Sequence, residues 1–189
     1  MGRNRHRVAP ISSTGLRSFF DRLVTASFGA LGLSDRAIMD YATDLLARFA
    51  RTDQLYRIRD AQRRPIETIA EMLLELGRQM EPEVGYAYDR DVEIRRHCGD
   101  YALFMSGTFR AFVERHSSLD HYLAEGQQAY QSVAELKEFT LAPDARLFRA
   151  LSADFEHLSG ALDYMRKVYM RPELHGGSYR DLIRKMDLF

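Results

Sequence analysis

The chain of 189 residues carries 27 Lys+Arg against 27 Asp+Glu. It therefore has no net field to draw it to nucleic acid or to an anionic membrane, and neither is expected as a partner. Hydrophobic residues at 46% and charged residues at 29% give the balance of a globular protein with apolar mass for one core, and the single Cys98 excludes an intrachain disulfide or a multi-cysteine metal site within one chain.

No stretch reaches the roughly 18 apolar residues of a spanning helix. The first apolar pair, Phe19-Phe20, is cut by Asp21 and Arg22, so no signal peptide is expected. A reducing cytoplasm is the simplest compartment for a chain with one cysteine. Residues 1–12 read as a flexible basic arm, with Arg3, Arg5 and Arg7 and no acid before Asp21. Three arginines are weak support for contact with nucleic acid or a membrane surface. Met1-Gly2 opens like a myristoylation signal, but His6 stands where Ser or Thr is needed.

From residue 13 to 189 the 3.6-residue period predicts one all-α domain, a bundle of six to seven helices. Ser12, Ser13 or Thr14 can cap a first helix carrying Leu16, Phe19, Phe20, Leu23, Val24 and Phe28, which stops near Gly29 to Gly32. Ser34 is the expected cap of a second helix, with Asp35 in its first turn and Ile38, Tyr41, Leu45, Leu46 and Phe49 on one face. Thr52 to Arg64 is charged and irregular. Pro65 suits the first position of a third helix striped by Ile66, Ile69, Leu73 and Leu76.

A fourth helix is predicted from Val84 to His97, with continuation past Gly99 left open. Gly99 and Gly107 suit either a break or a close helix approach. Ser117 or Ser118 caps a fifth helix, and Pro143-Asp144 opens the longest periodic segment, Leu147 to Val168, read as one helix. Beyond Pro172 and Gly176-Gly177, Tyr179 to Leu188 reads as a short terminal helix. No segment alternates as a strand does, and no repeat is evident.

Three acid–histidine groups have the spacing that puts ligands on one helix face. They are Glu93, His97 and Asp100 on the fourth helix, His121 and Glu125 on the fifth, and Asp154 and His157 on the sixth. Imidazole and carboxylate donors so arranged could hold iron or manganese, as in di-iron or di-manganese oxidoreductase bundles, although Glu-x-x-His never occurs. Salt-bridged surface pairing is the simpler explanation, and no cofactor is expected. Cys98 beside His97 is a small core residue rather than a nucleophile, because neighbours on a helix point about 100° apart. Ser106 lacks the G-x-S-x-G elbow.

Asp100 stands at the edge of an apolar run, where a buried carboxylate must be paired or hydrogen-bonded. It is expected to cap a helix restarting after Gly99, or to pair with Arg90, Arg95 or Arg96. Ten tyrosines and abundant arginine add residue types favoured at protein interfaces.

Tyr41 to Tyr56, Glu71 to Glu75, Gly99-Asp100-Tyr101-Ala102-Leu103-Phe104-Met105-Ser106-Gly107 and Tyr122 to Tyr130 together resemble a family of uncharacterised bacterial all-helical proteins. The resemblance implies a stand-alone bacterial cytosolic protein and carries no activity or catalytic residues with it. The leading expectation is a non-enzymatic helical interaction or regulatory protein, binding a protein partner or itself as a homodimer. The alternative is the metal-dependent helical oxidoreductase.

Overall fold

The computed structural model describes residues 11–60, 62–79 and 86–187, so the basic arm lies outside the described residues except for Ile11 and Ser12. Ser12 caps α1 (Ser13–Ala30), its hydroxyl accepting from the Gly15 amide at 3.0 Å. Ile11 packs against the core beside it. The helix ends in a Schellman turn: the Leu33 amide donates to the Phe28 carbonyl and the Gly32 amide to that of Gly29. Gly32 takes φ +76° there, which glycine adopts without Cβ strain.

The cap of α2 (Arg36–Phe49) is Asp35 rather than Ser34. Its carboxylate accepts from the Ala37 and Ile38 amides at 2.8 and 3.3 Å, and a charged acceptor at the positive helix end outcompetes a hydroxyl one residue earlier. After the single turn α3 (Thr52–Leu55), an isolated antiparallel bridge pairs Arg59 with Pro65. Pro65 therefore does not start a helix. The Asp60 carboxylate instead folds the chain back by accepting from the Gln62 and Arg64 amides. α4 (Ile69–Gln79) begins four residues later at a capping box, in which Thr68 accepts from the Glu71 amide and Glu71 from the Thr68 amide.

α5 (Tyr88–Thr108) runs through Gly99 without a break, and every residue from His97 to Thr108 is buried. A helix buried on all sides carries no amphipathic stripe, which is why its apolar run shows none. Around it lie α2, α4, α7 and α9, with α6 (Arg110–His116) following directly. The absence of a Cβ decides the close approaches. One at Gly99 would sit 2.6 Å from the Tyr130 ring, and one at Gly126 on α7 (Leu119–Phe139) would collide with the Phe155 ring. Gly107 faces Leu162 in the same way.

The long periodic segment after Pro143 is two helices, α8 (Ala145–Ala153) and α9 (Phe155–Val168), parted at Asp154 with φ −100° and ψ 14°. A 3₁₀ turn at Pro172–Leu174 leads to α10 (Gly177–Met186). The described residues thus hold ten α-helices, two of them short, rather than six to seven. The excess comes from the short α3 and α6 and from the break between α8 and α9. Among the described residues no strand forms beyond the isolated bridge, and none of these helices is long and apolar enough to cross a membrane.

Candidate functional site

Asp100 is 0% exposed in the middle of α5, where four elements of its network converge from three helices. Oδ1 accepts from the Tyr41 hydroxyl at 2.5 Å and from the Tyr130 hydroxyl at 2.8 Å. Oδ2 accepts from Arg48 Nη2 at 2.8 Å. Tyr41 and Arg48 lie seven residues apart on α2, so two turns of helix present both to α5 on one face. Arg96, one turn before Asp100, donates from Nε to the Tyr41 hydroxyl at 3.2 Å and lies over the Tyr41 and Phe148 rings.

Burial, and then the charge of Asp100, push the hydroxyls of Tyr41 and Tyr130 well above the ordinary phenol range, so both remain protonated donors. The carboxylate is accordingly neutralised by a guanidinium and hydrogen-bonded by two hydroxyls. Three of its roughly four lone-pair directions are filled, and at 0% exposure it is closed to solvent. Asp100 is thus inside a helix rather than capping one, and its cation is Arg48, not Arg90, Arg95 or Arg96. Arg90 pairs with Glu93 and reaches the Arg59 carbonyl, while Arg95 pairs with Asp91 at 2.6 Å. The sequence offers no pointer to Arg48, Tyr41 and Tyr130 as partners, because their convergence depends on helix packing alone.

His97 is also fully buried. Its Nε2 lies 3.1 Å from the Leu55 carbonyl, which ties the α3 turn to α5, and its ring meets Phe49 edge-on. Burial holds the imidazole down at about 4, with Arg57 and Arg48 adding to the effect against the pull of Asp100. The ring is therefore neutral and donates from Nε2.

The other predicted ligands lie apart from this pair. Glu93 is half exposed between Arg90 and Arg57. His121 and Glu125 face each other at 3.8 Å on the outer side of α7. Asp154 and His157 are both exposed at the start of α9. The described residues assemble no group of three or more His, Cys, Asp or Glu able to hold a metal. Burial pushes the Cys98 thiol up to about 12, far from a reactive thiolate. Ser106 accepts from Ser159 at 2.9 Å and bridges α5 to α9.

Two surface features complete the description. The turn from α7 to α8 presents Phe139 and Leu141, 89% and 90% exposed. This turn is the same Schellman arrangement that ends α1, with the Ala142 amide donating to the Lys137 carbonyl and the Leu141 amide to that of Glu138. Here, however, a leucine at φ +56° stands where α1 has Gly32. Separately, an apolar cleft of about 280 Å³ opens between the ends of α2, α5 and α10, walled by Phe49, Tyr56, Tyr101, Phe104, Phe112 and Met186. No motif or spacing in the sequence sets these wall residues apart, so nothing there marks a cavity.

Comparison with models of protein families, with curated proteins and with solved structures finds no match. The class of protein is therefore defined by the fold and site alone: an all-helical domain built around a sealed, charge-neutralised carboxylate.

Proposed function

We propose that this is a non-enzymatic helical interaction protein of a bacterial cytoplasm, which associates through the α7–α8 turn, in the first instance with a second copy of itself. The observation that carries the reading is Leu141. A leucine in the left-handed region costs about 1–2 kcal/mol relative to glycine, and nearly full exposure returns no burial energy to the monomer. Local strain held at an exposed apolar tip is a reason to look for a contact that the isolated chain does not make.

The surroundings suit a self-complementary contact. Phe139 adds an aromatic anchor, and the turn carries both signs of charge in the Glu138–Arg149 pair, which two copies can exchange about a twofold axis. The ion-paired and fully buried Asp100 supports a non-enzymatic role, and the buried Cys98 is compatible with a reducing compartment.

Sedimentation velocity on the full chain tests this. The wild type is expected to show a concentration-dependent dimer, and the double variant Phe139→Ser, Leu141→Gly to remain monomeric. A wild type that stays monomeric up to about 1 mM, where even an association of about −4 kcal/mol would populate the dimer, removes the reading.

A further inference from the structure

We infer that the apolar cleft beside α10 is a binding site for a small amphiphilic monocarboxylate, an unbranched acid of about eight carbons. The inference goes beyond the proposed association and is independent of it, since no cleft residue belongs to the α7–α8 turn.

The size of the ligand follows from the cavity. At about 30 Å³ for a group the size of a water, 280 Å³ holds about nine such groups, at the lower edge of small-molecule sites. Its character follows from the wall, which is mostly apolar. Phe49 and Phe104 meet edge-to-face at 5.3 Å, as do Phe104 and Phe109, so the rings are held by one another rather than free to collapse inward. Away from its tyrosine hydroxyls and Lys185, such a wall offers no side-chain hydrogen bond to a ligand and favours a flexible hydrocarbon chain.

The head group follows from Lys185 at the rim. Of the three lysines, Lys137 pairs with Asp144 at 2.9 Å and Lys167 with Asp163 at 2.7 Å. Lys185 has no acid within ion-pairing distance among the described residues. Tyr56, half-buried on the same wall, has a hydroxyl with no partner among the described residues. One ammonium and one phenol match a single carboxylate: the cation meets its charge and the hydroxyl donates to its second oxygen. A phosphate monoester, with a larger charge, would leave most of its oxygens unmet.

The probe is sodium octanoate, titrated into the full chain carrying ¹³C-methyl methionine, because Met105 and Met186 both line the cleft while Met39, Met72 and Met165 lie elsewhere in the core. Saturable shifts confined to Met105 and Met186, with Kd below about 1 mM, are the expected result. Octan-1-ol, of equal chain length and no charge, is expected to bind about tenfold more weakly, and Lys185→Gln to weaken octanoate by a similar factor.

Shifts at neither methionine, or non-saturating shifts at all of them, would overturn the site. Equal affinity for octanol and octanoate would overturn the assignment of an anionic ligand. Lys185 is exposed, so its variant folds as the wild type does, and sedimentation of the same samples reports on the α7–α8 association separately.

Discussion

Asp100→Ala removes at once the acceptor of two phenol protons and the counter-charge of Arg48. Arg48 is only 24% exposed and would be left beside an apolar gap, and its Nε already has no partner. Breaking a buried pair from one side costs about 3–5 kcal/mol, more than loss of a helix cap, and urea unfolding is expected to show it. Tyr130→Phe deletes a single hydrogen bond to a charged acceptor and leaves Tyr41 in place, so about 1.5–3 kcal/mol is expected. A Tyr130→Phe loss as large as that of Asp100→Ala would show that this one hydroxyl, and not the Arg48 ion pair, carries the network, since phenylalanine keeps the ring.

His97 makes a prediction in pH. Its folded value lies near 4, below the ordinary 6.5, so the unfolded chain binds the proton first. The stability tied to neutral His97 is fully present above pH 6.5. It falls as pH drops from 6.5 to about 4 and changes no further below that. The slope approaches about 1.4 kcal/mol per pH unit, with a ceiling of about 3 kcal/mol in total. His97→Gln keeps a donor for the Leu55 carbonyl and is expected to flatten this part of the curve relative to wild type, as read from urea midpoints across pH 4 to 7.

At the scale of the element, two glycines on neighbouring helices should respond oppositely to the same change. A methyl at Gly126 meets the Phe155 ring and Ala102 Cβ, and overpacking of this kind costs about 1–3 kcal/mol. A methyl at Gly160 in α9 meets nothing within 4 Å, so Gly160→Ala should gain about 0.5–1 kcal/mol from helix propensity. Thermal unfolding by circular dichroism separates the two. Leu141→Gly likewise should stabilise the monomer by about 1 kcal/mol while it weakens self-association. A variant both less stable and still dimeric would contradict the role given to the strained cap.

Local chemistry was readable in the sequence where it is self-contained. Ser12 and Ser118 cap as their positions imply, and the stripes of α1 and α2 fall on the buried faces. Reading failed where two local signals compete or where the third dimension decides. Pro65 and Thr68-x-x-Glu71 both signal helix starts, and the turn at Asp60 selects the second. A continuous apolar period across Asp154 hides a change of direction, because α8 and α9 bury the same side of the chain against different neighbours. The site was legible only as far as Asp100 needing partners; Arg48, Tyr41 and the cleft depend on which helices meet.

For the whole molecule, Ile11 and Ser12, the two described residues of the expected arm, belong to the folded domain. Removing residues 1–12 rather than 1–10 is expected to cost about 1 kcal/mol through loss of the Ser12 cap, measured as a difference in urea midpoint between the two truncations. Equal midpoints would mean that the next hydroxyls, Ser13 or Thr14, take over the cap.

The stacking of Phe19 in α1 against Tyr179 in α10, with centroids 4.6 Å apart and the Tyr179 hydroxyl on the Gly15 carbonyl, also bears on how the protein is made. On the ribosome Phe19 emerges long before Tyr179, the ring that covers it. Until then Phe19 is an open apolar surface on a nascent chain, available to a chaperone. Docking of α10, rather than formation of α1 itself, is the step that closes it.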